Sequence, residues 1–170
     1  MSRQEQPQRA TSGRPPRLQS VDFARDFEAA FARLQIAVET ACAEELDDWP
    51  MQVAAAIRAV LEFAASEPVA AHVLTVESLA QGSGHFARQR RPVDHLARLL
   101  AAGRDVHPEG EALPSLLEDA LAGGIFMLIV QRLEVGDART LAGLAPDAIE
   151  FALTPYVGRA RARDVATTGS

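Results

Sequence analysis

Apolar residues recur at three- and four-residue steps along most of this chain, a spacing that predicts helices. Phe23, Phe27, Ala30, Phe31, Leu34, Val38, Ala41 and Cys42 mark one face of a first helix, from Val21 to near Leu46. Asp47-Asp48-Trp49-Pro50 then reads as a helix start, a carboxylate cap followed by a first-turn proline. Val53, Ile57, Val60, Leu61 and Ala64 line the second helix, and Glu67-Pro68 restarts the chain. A shorter third helix carries Val69, His72, Val73, Val76, Leu79 and Ala80, and Gly82-Ser83-Gly84 stops it. A fourth, interrupted or kinked near Pro92, runs to about Ala102. Gly103 to Gly110 is a loop.

The fifth helix, about Ser115 to Glu134, breaks the amphipathic pattern. Ala120 to Val130 is apolar all round, so both sides need cover. One side faces the subunit's own core, and the other is predicted to meet a second chain. Gly123-Gly124 in mid-helix costs about 1 kcal/mol per glycine relative to alanine, which close approach of a neighbouring helix would offset. Twofold symmetry is the commonest form of such an interface. Gly136 ends this helix, Pro146 opens the last, and Thr154-Pro155-Tyr156-Val157-Gly158 closes it. No segment alternates as a strand does. The prediction is an all-α fold with six main helices.

Composition adds limits. Residues 1–20 are rich in Pro, Gln, Arg, Ser and Gly and read as a disordered basic tail, residues 21–158 as one domain, and residues 159–170 as a second disordered tail. The net charge is −6, every basic residue is Arg, and there is no Lys or Asn. That usage looks like the codon bias of a GC-rich bacterial genome. Four Arg against one Glu in residues 1–20, and three Arg against one Asp in residues 159–170, leave −11 on the segment between. A segment so acidic repels phosphate, which argues against DNA binding by the domain itself. The single Cys42 suits a reducing compartment and reads as a buried, inert thiol. No apolar stretch follows the first arginines, and no run approaches the ~20 residues of a membrane span. The expected location is the cytoplasm, with no membrane contact.

Several segments resemble one group of TetR-type transcription regulators, over roughly four fifths of the chain. They are Asp48-Trp49-Pro50 with the helix to Ser66, Glu67-Pro68-Val69-Ala70-Ala71-His72-Val73-Leu74-Thr75-Val76-Glu77, Leu121-Ala122-Gly123-Gly124-Ile125, and Pro155-Tyr156-Val157-Gly158. The resemblance implies the C-terminal ligand-binding and dimerisation domain of that family, with the helix from Val21 as the connector from a DNA-reading head. It implies a homodimer through a four-helix bundle, with Leu117, Leu121, Gly124, Ile125 and Leu128 on one helix and Ile149, Leu153 and Tyr156 on the other. It implies a pocket for a small, mostly apolar ligand, with Trp49, Phe63, His72, Thr75, Val76, Glu77, Phe86, Phe126 and Met127 as candidate lining. Residues 1–20 cannot supply a helix-turn-helix. Operator contact is therefore expected only if a longer native chain or a partner provides one. The alternative is a ligand-free interaction protein that heterodimerises with a full-length regulator of this type.

Read from the residues alone, the same candidates have plainer roles. His72 is a hydrogen-bonded core histidine or a polar pocket anchor, and Glu77 a solvated charge or a second anchor. Trp49, Phe63, Phe86, Phe126 and Met127 suit ordinary core as well as a cavity wall. His72, His85, His95 and His107 never pair at the helical spacing of metal ligands, so no metal or other cofactor is expected. Arg88, Arg90 and Arg91 read as a solvated face or a hold for an anionic group. No nucleophile elbow, phosphate loop or catalytic constellation is visible, and the chain is not read as an enzyme.

Overall fold

The computed structural model describes residues 20–43, 45, 48–80, 86–108 and 110–168. The expected tail before Ser20, the Gly82-Ser83-Gly84 stop and His85 lie outside them. The described residues are all-helical, without a strand. The main helices are α1 (Ser20–Cys42), α2 (Trp49–Ser66), α3 (Pro68–Ala80), α4 (Phe86–Ala101), α5 (Leu117–Glu134) and α6 (Ala145–Thr167).

Local chemistry sets the boundaries. The Asp48 carboxylate caps α2 by accepting from the Met51 N–H at 3.3 Å, with Pro50 in the first turn. The α5 stop is a Schellman motif. Gly136, at φ 74°, donates to the Leu133 carbonyl, and the Asp137 N–H donates to the Arg132 carbonyl at 2.8 Å. α4 passes through Pro92 without interruption, giving up the one backbone bond a proline cannot donate. α3 contains a π turn, Val73–Glu77, which no residue pattern announces.

α2 is the central helix, packed against α1 on one side and α6 on the other. Two apolar clusters meet on it. Phe23, Phe27, Phe31 and Val38 of α1 build one with Ala56 and Phe63 of α2. Val53, Ile57 and Leu61 of α2 build the other with Leu100, Ile125, Ile149 and Leu153. Val60 and Leu99 touch both, so the seam between the clusters runs along α2 and α4.

The C-terminal segment corrects an expectation. Residues 159–167 are helical rather than a disordered tail, with Ala162, Val165 and Ala166 buried. Gly158 does break the helix, at φ 76° and ψ 160°, but the chain turns there and resumes. Only glycine adopts that backbone region freely. Arg58 of α2 then donates to the carbonyls of Val165, Ala166 and Thr168, satisfying the free end of the last helix. The basic count of this segment hid three small apolar residues spaced to dock.

Candidate functional site

An apolar cavity of about 50 Å³ lies on the seam between the two clusters. Leu34 of α1, Val60 and Phe63 of α2, Leu74 of α3, Leu96 of α4 and Ile125 of α5 are among its walls. The void exists because three helices present alanine to it: Ala64, Ala71 and Ala122. Among the described residues Thr75 brings the one polar side chain, and its hydroxyl donates to the Ala71 carbonyl at 2.7 Å. Thr75 stands on the π turn, which widens α3 at this point. Such turns recur at functional sites. A drug-sized ligand needs about 300–1,000 Å³, so only a small group enters before side chains move.

α4 covers the cavity with Pro92, Val93 and Leu96. Arg90 reaches Asp119 of α5 at 2.6 Å, and Arg91 reaches Glu28 of α1 at 2.7 Å while lying 4.3 Å over the Phe31 ring. The basic run therefore straps α4 to its neighbours. These ion pairs are exposed and screened by solvent, and buried Leu96 and Leu100 anchor α4 to the core.

Of the predicted lining residues, Phe63, Thr75 and Phe126 reach the cavity. His72 and Glu77 pair with each other at 3.3 Å in a partly exposed position, one turn apart on the outer side of α3. Met127 is 46% exposed on α5, and Val76 is half-buried. Phe86 opens α4, and its side chain lies outside the described residues. Trp49 is a packing clamp instead. Its Nε1 donates to the Leu99 carbonyl at 2.8 Å, and its ring meets Tyr156 edge-on at 5.1 Å. The sequence reading missed Leu34, Val60, Pro92, Val93 and Leu96. A proline carried inside an amphipathic helix was the available signal for the last three.

Tyr156 continues inward to charged partners. Its hydroxyl donates to Glu118 Oε1 at 2.9 Å, and Arg104 donates to both oxygens of that carboxylate at 2.8 and 2.9 Å. Burial works to raise the Glu118 value, but the Arg104 and Tyr156 hydrogen bonds hold it below the usual carboxylate range. Burial and the same carboxylate push the Tyr156 phenol up. Arg104 also ties down the carbonyls of Gly110, Leu113 and Pro114, fixing the loop before α5. This is a structural network around Glu118, away from the cavity. Cys42 donates its S–H to the Gln52 carbonyl at 3.5 Å, and burial pushes the thiol up, away from nucleophilic chemistry.

The expected interface splits in two. Leu121, Ile125, Ile149, Leu153 and Tyr156 are buried in the protomer's own core, a correction to their placement at an interface. Helical spacing alone does not say which side of an all-apolar helix the core takes. Leu117 and Leu128 are half-buried and Gly124 is exposed. Beside them stands Phe151 of α6, 51% exposed, absent from the predicted set. A shallow groove between α5 and α6 runs past Gly124, Leu128, Leu144, Asp147 and Phe151. It continues along Leu117, Ala120, Thr154 and Pro155.

Among the described residues no group of three His, Cys, Asp or Glu could hold a metal ion, and no single helix is long and apolar enough to cross a membrane. The fold and these two features define an all-helical domain with an apolar cavity between its two clusters and an exposed apolar face. Protein-family models, curated proteins and solved structures gave no match to this chain.

Proposed function

We propose that this chain is the effector-binding and dimerisation domain of a TetR-type transcription regulator, taking a small, mostly apolar molecule. The observation that carries the reading is the cavity on the seam. Its walls come from α1 through Leu34 and from α5 through Ala122 and Ile125. In the family resemblance these are the connector and a dimer helix, so an occupant would bear on both. The exposed strip around Gly124, Leu128 and Phe151 supports self-association through α5 and α6.

The test is binding of the apolar dye N-phenyl-1-naphthylamine, followed by fluorescence and by melting temperature. At a hundredfold excess over Kd, a ligand specific to the folded state adds about 2.7 kcal/mol, a rise of several degrees. Ala122→Leu and Ala64→Val fill the void and are expected to weaken the dye tenfold or more while the chain stays helical. Failure of the dye and of smaller apolar probes alike, or equal dye binding by both variants, overturns the reading. Co-purification of a longer regulator in place of self-association would favour the heterodimerising interaction protein.

A further inference from the structure

A second apolar chamber, about 30 Å³, adjoins the first. The two share Leu34, Val60, Pro92 and Leu96 in their walls. They are therefore neighbouring spaces with four wall residues in common. The chambers differ in character. The first ends at Phe126 and Ile129 and is hydrocarbon apart from the Thr75 hydroxyl. The second carries an amide and an imidazole, Gln35 of α1 and His95 of α4. Rotation of Leu34, Val60 and Leu96 would join them into one elongated slot with a polar end.

We infer that the ligand is a linear amphiphile, its hydrocarbon tail in the Phe126 chamber and an uncharged hydrogen-bonding head between Gln35 and His95. This rests on the ligand-binding reading above and adds the ligand's class and direction. Burial, with Arg98 nearby, holds the His95 imidazole below its ordinary value against the pull of Glu39. A neutral imidazole and a carboxamide each offer a donor and an acceptor, but no full charge. A carboxylate head there would lose hydration with only the exposed Arg98 to offset it, and an ammonium head would be repelled by Arg98. An alcohol, ester or amide head loses less and can be satisfied by the two side chains.

The experiment is calorimetric titration of the whole chain with 1-octanol and with octanoate at neutral pH. The wild type is compared with Gln35→Leu, His95→Leu and Thr75→Val. The expected result is octanol binding at least tenfold tighter than octanoate. Each of Gln35→Leu and His95→Leu should weaken octanol about fivefold, the scale of one hydrogen bond, a larger loss than Thr75→Val causes. Melting curves confirm that each variant is folded. Octanoate binding as tightly as octanol overturns the uncharged head and leaves the cavity reading standing. Octanol binding that ignores Gln35 and His95, or depends on Thr75 instead, overturns the direction and the joining of the chambers. Failure of both probes to bind, while N-phenyl-1-naphthylamine binds, overturns the linear amphiphile alone. Failure of all three removes the ligand-binding reading with it.

Discussion

Trp49 shows how one side chain fixes several elements. It begins α2, hydrogen-bonds to Leu99 near the end of α4, and packs against Tyr156 of α6. It also lies so close to Gly103 that a β-carbon there would collide with the indole. Gly103→Ala is therefore expected to cost about 1–3 kcal/mol, the range for overpacking, read as a lower urea midpoint with unchanged slope. Tyr156 passes the contact on to Glu118 and Arg104. Because the folded Glu118 value is lowered, its stabilisation is present above the ordinary carboxylate range. That stabilisation is lost as the pH falls through the folded-state value. Glu118→Gln should cost about 2 kcal/mol at neutral pH, short of the ~3–5 of a fully buried broken pair, because Arg104 keeps 26% of its side chain in solvent. The variant should also lose part of the acid-side decline in melting temperature. An unchanged acid limb would place the pH dependence elsewhere.

At the scale of elements, helix identity was legible where a start or stop has local chemistry. Asp48 with Pro50, and Gly136, act through their own neighbours, and the chain carries those neighbours in order. What the sequence did not reveal depends on contacts between distant segments. Residues 159–167 look polar in isolation, and their docked end is bonded by Arg58, more than a hundred positions away. The cavity was half legible for the same reason. Phe63, Thr75 and Phe126 stand out by type, whereas Ala64, Ala71 and Ala122 matter only because three helices bring them together. Arg58→Ala should remove charge-assisted bonds worth about 1.5–3 kcal/mol. Hydrogen exchange should show the amides of residues 159–167 opening well before those of α2. Uniform protection across both would mean that Ala162, Val165 and Ala166 dock without the arginine.

For the whole molecule, the question is what covers the face between α5 and α6. The two helices present small and apolar residues along the groove together with Asp147, Glu150, Arg159 and Arg163, and the Phe151 ring lies beside Gly124. A β-carbon at Gly124 would sit 3.5 Å from that ring, an ordinary contact, so the protomer itself tolerates a larger residue there. A second copy laid across the groove would not, because the added side chain occupies the space its helix needs. Gly124→Leu thus separates folding from assembly: the fold should persist and the proposed dimer should weaken. Phe151→Asp attacks the same face by charge. Full burial of a Phe contributes about 1.5–3 kcal/mol; about half of that is left to gain by a ring 51% exposed, and twofold symmetry counts it twice, so the dimer should weaken roughly ten- to a hundredfold, at 1.4 kcal/mol per decade. Sedimentation velocity of wild type and both variants at micromolar concentration reads this directly. Dimeric wild type with monomeric, fully helical variants is the expected outcome. A wild-type monomer, or variants that stay dimeric, would show that this face is not where two copies meet.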